Sequence, residues 1–201
     1  MKQKIRLMAV LWPILTIMCL EARAQSPEYS EAVPPGNIVD AELPISIEPI
    51  PVGNRVPADF WTHQHLIFQD GDTLRMSLDR DKGKLIILAF WSSSCAPCYT
   101  SMPHLDYFQK KYPEDLNVIF VNCVAKSKDD LPKISKLYKN GRFADLGLTS
   151  FSSIILDDYL LRLFPHKGYP YYVWINTAGV VQTLSFKNFL IKDEVPPFIK
   201  P

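Results

Sequence analysis

The apolar run Leu85 to Phe90 follows the turn-forming Lys82-Gly83-Lys84 and predicts a strand buried on both faces. Asn117 to Val121 is a second short apolar run suited to a central strand. Between them Leu105, Phe108 and Tyr112 recur at spacings of three and four, which predicts a helix with one apolar stripe. Upstream, Leu66-Ile67-Phe68 and Thr73-Leu74-Arg75-Met76 flank Asp70-Gly71, a strong hairpin signal. Downstream, Ser127 with Asp129 and Asp130 starts a helix that has Pro132 in its first turn. Ile134, Leu137 and Tyr138 face inward along it, and Gly141 ends it. Asp157 to Phe164 is predicted as another short helix. Tyr171 to Ile175 and Val180 to Phe186 flank Asn176-Thr177-Ala178-Gly179 as a closing hairpin. The order strand, helix, strand, helix, hairpin implies an α/β sheet with helices on its faces.

The pattern changes character before Phe60. Lys2, Lys4 and Arg6 precede an apolar stretch from Leu7 to Leu20, and Ala22-Arg23-Ala24 places small residues where a signal peptidase reads them. Residues 1–24 are therefore expected to be a cleaved signal peptide and the protein to be exported, periplasmic in a two-membrane cell. A membrane anchor fits less well, because a span needs ~20 apolar residues and Pro13 interrupts this stretch. A lipid anchor on Cys19 is disfavoured by the bulky Met18 before it. Residues 25–57 carry seven prolines and little periodic pattern, so they are expected to form an extended linker. The alternative for part of it, such as Leu43 to Ile50, is an edge strand packed on the domain. The folded domain is expected over residues 58–201.

Removing 24 of 201 residues leaves 177, enough for one domain with a sizeable core. The formal net charge of +1 gives no long-range basic field, so nucleic acid is not an expected partner. The cysteines are more informative. Cys19 leaves with the signal, and Cys95, Cys98 and Cys123 remain. A disulfide scaffold would want an even number spread along the chain, whereas one close pair plus a singleton reads as redox chemistry with a spare thiol.

Cys95-Ala96-Pro97-Cys98 falls just after a buried strand and at the start of a helix. The first backbone N–H groups of a helix lack internal partners and the helix dipole is positive there, so a Cys95 thiolate is stabilised. Thiolate is the attacking species in disulfide exchange. Pro97 stiffens the loop, and the three-residue offset lets Cys98 close a disulfide or resolve a mixed one. Structural zinc needs about four ligands, and only Cys123, His104 and His166 are candidates here, at irregular spacing. No metal ligands are assigned. A purely structural disulfide would be odd at a strand–helix junction.

Phe90-Trp91-Ser92-Ser93-Ser94-Cys95-Ala96-Pro97-Cys98, with Met102-Pro103 after it, resembles the thioredoxin-like family of exported disulfide reductases. The branch is the TlpA-like one that includes cytochrome-maturation thioredoxins and their Bacteroidetes relatives. Gly168-Tyr169-Pro170 before Tyr171 to Asn176 is similar to the family's Gly-x-Pro-then-strand segment, and the likeness runs from about Phe60 to Phe186. The resemblance implies a thioredoxin fold, a central mixed sheet with helices on both faces and an N-terminal β-hairpin extension. It implies a protein disulfide oxidoreductase working in the reductase direction, with Cys95 and Cys98 catalytic and Trp91 and Pro97 supporting. Pro170 is expected in the cis form opposite the cysteines, aligning the Tyr169 backbone as a β-edge for a substrate peptide and keeping metals off the thiols. Disulfide-containing proteins are the expected substrates and a membrane partner the expected electron donor. No cofactor is expected.

Three departures from the family accompany these matches. Ser94 stands where many relatives have Trp, Ala89 where thioredoxins bury an acid beneath the second cysteine, and Ser101 where the cytochrome-maturation branch has Glu. Such an acid moves the proton of the resolving thiol, so its source here is open, with His104 and His166 the remaining candidates. Cys123 is expected at the end of a strand beside the one bearing the pair, as a half-buried hydrophobe. The family's C-terminal helix is reduced to a very short one at Asn188 to Glu194, or another chain supplies the cover. Two competing functions fit the residues less well. A peroxiredoxin needs Pro-x-x-x-Thr-x-x-Cys, and this chain offers Leu88 and Ser92 at the Pro and Thr positions before Cys95. A non-enzymatic copper-handling or scaffold domain would want wider cysteine spacing and a clearly placed His.

Overall fold

The computed structural model describes residues 47–194, so the expected signal peptide and most of the expected linker lie outside the described residues. Seven strands form one mixed sheet: β1 His65–Gln69, β2 Asp72–Met76, β3 Leu85–Phe90, β4 Leu116–Val121, β5 Ser152–Ile154, β6 Tyr171–Ile175 and β7 Val181–Ser185. Their spatial order is β2-β1-β5-β4-β3-β6-β7. Five α-helices accompany them: α1 Asp59–Thr62, α2 Ala96–Lys111, α3 Val124–Ser127, α4 Leu131–Lys139 and α5 Tyr159–Leu163.

The unbroken apolar run of β3 is explained by its position. Ile87 and Ala89 enter one core with α2 and α4, while Ile86, Leu88 and Phe90 enter a second core on the opposite face. Side chains alternate across a strand, so a strand buried on both sides must be apolar at every position. β3 runs parallel to β4 in register Leu85↔Leu116 to Phe90↔Val121, with α2 as the crossover, and antiparallel to β6. The second face is closed by α1, α5 and the segment around Ile50 and Val56.

The β1–β2 hairpin forms at Asp70-Gly71 with φ of 48° and 107°, the paired positive angles that a two-residue turn of matching twist requires. Asp70 tolerates its angle because its carboxylate is anchored, accepting from Phe151 N at 2.8 Å and Ser150 Oγ at 2.7 Å.

Four features differ from the sequence pattern. First, β5 carries no strand signal in the sequence: its three residues are Ser-Ser-Ile, too short and too polar to register as a run. It nonetheless joins the hairpin to the rest of the sheet, antiparallel to β1 and parallel to β4. Second, the end of the expected linker is packed on the domain. Ile50 N donates to Leu163 O at 2.9 Å, Gly53 N to Val181 O at 2.8 Å and Val56 N to Gly179 O at 2.9 Å. Pro49, Pro51 and Pro57 alternate with these donors, as suits an edge where only some N–H groups are needed. Part of the stretch expected as linker, from Ile47 to Pro57, is thus packed on the domain. Third, α5 starts at Tyr159, because Asp157 stays outside the helix and accepts from Leu160 N at 2.6 Å. Fourth, no helix forms over residues 188–194. Leu190 is fully buried against the α2-side core and so supplies apolar cover without a helix.

Candidate active site

Cys95 and Cys98 are joined in a disulfide with Cα atoms 5.3 Å apart. The separation falls within the ~4.4–6.8 Å that a disulfide accommodates. Cys95 is the N-cap of α2 and Pro97 lies in its first turn. The Cys98 backbone N–H donates to Cys95 Sγ at 3.2 Å. That bond strengthens when the sulfur carries negative charge, so the helix start favours a Cys95 thiolate. Around the pair Ser94, Ala96 and Pro97 are exposed, while Cys95 is 7% and Cys98 3% accessible. Both cysteines are buried, Cys95 slightly less so than Cys98.

Opposite, the Tyr169–Pro170 peptide bond is cis. Pro170 and Cys98 line one small cleft with Ala89, Trp91, Met102 and Tyr172, and none of the residues lining it carries a carboxylate. At the two positions where relatives place an acid, Ala89 contributes only a buried methyl group and Ser101 a hydroxyl. Ser101 Oγ donates to Pro97 O at 3.1 Å. Burial raises the Tyr172 phenol, partly offset by its hydrogen bond with Ser101, which places Ser101 between the active-site helix and β6.

Neither histidine candidate lines the cleft at Cys98. His166 is buried on the other face, with Nδ1 at 3.0 Å from Phe164 O and its ring stacked on Tyr171. Burial pushes its imidazole below the usual range. His104 Nδ1 instead accepts from Lys192 N at 3.2 Å and so holds the C-terminal stretch to α2. Cys123 is fully buried just beyond β4, and burial, followed by the charges of Asp157 and Asp158, pushes its thiol well above the usual range. It carries no thiolate at neutral pH and behaves as a core side chain.

The Ser92-Ser93-Ser94 loop that presents Cys95 is held by a buried polar network. Asp129, 1% accessible, accepts from Ser93 N at 2.7 Å, from Asn122 Nδ2 at 2.8 Å and from Ser93 Oγ. Lys133 Nζ closes the other side at 2.8 Å. Burial alone would raise the Asp129 carboxyl, but the donors from Lys133, Ser93 and Asn122 outweigh it and hold the group below the usual carboxylate range. Asn122 Nδ2 also approaches Trp91 O at 3.3 Å, and Tyr99 OH donates to Ser93 O at 2.9 Å. Trp91 is itself pinned, its Nε1 donating to Ser153 Oγ at 2.9 Å while Phe143 and Phe151 meet its ring edge-on.

Asp129, Asn122 and Ser153 carry no functional signal in the sequence alone. Asp129 reads there as part of a helix start, and Asp130 performs the cap, accepting from Lys133 N at 2.8 Å. That leaves Asp129 to reach Ser93, 36 residues away. Two adjacent acids at one helix start, where a single cap suffices, were the available signal.

No family model matches the chain. The thioredoxin-like protein YneN of Bacillus subtilis is 30% identical over 111 residues, covering 55% of this chain and 61% of that protein, so the chain spans about three-fifths of its length. The thiol-disulfide oxidoreductase YkuV of Bacillus subtilis is 40% identical over 110 residues, covering 54% of this chain and 70% of that protein. Among solved structures, the exposed lipoprotein thioredoxin of Streptococcus pneumoniae aligns with a TM-score of 0.50 at 26% identity, over 65% of this chain and 93% of that one. The thioredoxin domain of a Bacteroides vulgatus thiol-disulfide oxidoreductase aligns at 0.51 with 14% identity, over 72% and 94%, and speaks for the fold alone. The fold and the cysteine pair are those of a thioredoxin-fold protein. The chain belongs to the thioredoxin-like thiol–disulfide oxidoreductase family.

Proposed function

We propose that this protein reduces disulfides in protein substrates outside the cytoplasm, through Cys95 as nucleophile and Cys98 as resolving thiol, and is itself re-reduced by a membrane electron donor. The carrying observation is the Cys95–Cys98 pair at the start of α2, whose Cys98 lines a cleft with Pro170 after the cis Tyr169–Pro170 bond. In the first step the Cys95 thiolate attacks one substrate sulfur, and the other leaves with the electron pair. In the second, the Cys98 thiolate attacks Cys95 Sγ and expels the first sulfur. The substrate has then gained two electrons and, from solvent, two protons, and the pair is oxidised to the disulfide. The Tyr169 main chain offers an edge along which an extended substrate segment pairs, Pro97 fixes the loop and Trp91 the strand end behind it. Residues 1–24 act as the cleaved export signal.

The cleft sets the rate of the second step. Cys98 is buried without a carboxylate beside it, and burial disfavours a charged thiolate. Dithiothreitol-driven insulin reduction is expected from the wild type, with resolution slow near neutral pH and faster as pH rises and more Cys98 ionises. Ser101→Glu should accelerate resolution several-fold at pH 7 and leave the initial Cys95 attack nearly unchanged, since Ser101 sits against Pro97 and Tyr172. Stopped-flow traces of both proteins across a pH series are the check. Absence of insulin reduction would remove the proposed function, and a wild type as fast as Ser101→Glu at every pH would mean that another group takes the proton.

A further inference from the structure

On the sheet face opposite the redox pair, the fold assembles two histidines and an aspartate that spacing along the chain does not connect. His65 opens β1 and is buried, His63 lies two residues earlier at the part-exposed end of α1, and Asp157 arrives 92 residues beyond His65. The register explains the meeting. Ile155 N donates to Leu66 O at 2.9 Å, which continues the β1–β5 pairing and brings Asp157 alongside His65. His65 Nδ1 then lies 2.8 Å from Asp157 Oδ2, while Leu160 N fixes Asp157 Oδ1 at 2.6 Å. His63 stacks on Tyr159 with ring centroids 4.0 Å apart, and Tyr159 OH in turn donates to Asp59 Oδ2 at 2.9 Å. One ligand atom from each of His63, His65 and Asp157 lies within 4.8 Å of the others.

We propose that His63, His65 and Asp157 bind a divalent transition-metal ion of the Zn2+ type. Two imidazoles and one carboxylate suit such an ion, whereas Mg2+ and Ca2+ prefer oxygen ligands throughout. Three protein ligands leave a fourth tetrahedral position for water. Ligand atoms about one tetrahedral ion stand roughly 3.3 Å apart, given bonds of about 2 Å, so His63 must move inward by an ångström or two. It is the part-exposed member of the three, and metal entry is from its side.

A buried hydrogen bond between His65 and Asp157 is the simpler account of that contact, but it gives no reason for His63 to bring a ligand atom within 4.8 Å of both partners. In the proposed site the ion sits between His65 Nδ1 and Asp157 Oδ2, where the proton of that hydrogen bond now lies. The site shares no residue with the cleft at Cys98, so it is independent of the proposed disulfide chemistry.

The test is calorimetric titration of Zn2+ into the full chain, with Cys95–Cys98 oxidised and no affinity-tag histidines. Oxidation keeps that pair from competing as metal ligands. Saturable binding of one equivalent is expected, with a Zn2+-dependent rise in melting temperature. His63→Ala, at the accessible rim, should weaken binding at least about tenfold and abolish the rise, and Asp157→Asn should also weaken it. His104→Ala should change nothing. No binding by the folded wild type, or binding unaffected by His63→Ala, overturns the proposal. Binding lost equally in His104→Ala would move the ion elsewhere and overturns it too.

Discussion

Replacing Cys98 by Ser is expected to turn the protein into a trap that accumulates mixed disulfides with its substrates, while Cys95→Ser should trap none. The asymmetry follows from position. Cys95 caps α2, its sulfur accepts from Cys98 N, and the residues around it are exposed. A thiolate there is both stabilised and reachable. Cys98 is buried in a cleft without a carboxylate and can meet little besides Cys95. Loss of either thiol should lower catalysed insulin reduction by on the order of 10^3-fold or more, because the two act as a unit. What distinguishes them is the covalent adduct, visible on non-reducing gels and by mass spectrometry of proteins bound to the Cys98→Ser variant. Adducts on Cys95→Ser instead would reverse the two roles.

Asp129→Asn should destabilise the domain by about 3 kcal/mol at neutral pH, a large effect for a substitution that keeps side-chain shape. Two donors from Ser93 and one from Asn122 converge on the buried carboxylate, and an amide nitrogen at that place would face them as another donor. Lys133 is half exposed, so Lys133→Ala should cost far less. The pH dependence has a definite sign. The folded-state carboxyl titrates below its ordinary value, so its stabilisation is present above the unfolded range and is lost as pH falls through the folded value. Urea midpoints of wild type and variant should differ most above about pH 5, begin to approach one another near the ordinary carboxylate value of about 4, and converge only once pH has fallen through the lower folded-state value. Because Asp129 holds the Ser93 backbone, the variant should also loosen the presentation of Cys95 and slow its attack. Equal midpoints at pH 7 would deny the network its role.

Much of this fold is legible in the chain because its strands differ in kind. β3 and β4 are apolar runs, and the hairpins at Asp70-Gly71 and Asn176 to Gly179 carry turn residues that only a few backbone shapes use. The cysteine pair declares itself through local spacing and a helix start. What stays hidden is held by partners distant in sequence. β5 has no hydrophobic signature because its Ser153 serves as the acceptor for Trp91. Asp129 cannot be told from a helix cap until the fold brings Ser93 to it, and His63 and His65 gain significance only when β1 pairs with β5 and delivers Asp157. The segment from Ile50 to Pro57 reads as linker because its prolines mask the three N–H groups that bind the domain.

The direction of electron flow is tested most directly by the reduction potential of the Cys95–Cys98 couple, measured by equilibrium with dithiothreitol or glutathione buffers and followed by alkylation. A couple is oxidising when its reduced form is stabilised, chiefly through a strongly favoured thiolate on the attacking cysteine. Here Ala96 and Pro97 contribute no charge, and Cys95 Sγ has the Cys98 N–H as its hydrogen-bond donor among the described residues. The stabilisation is therefore modest, and the potential is expected near the roughly −270 mV of thioredoxin. A value close to the roughly −120 mV of DsbA would make the protein an oxidant and contradict the reductase assignment.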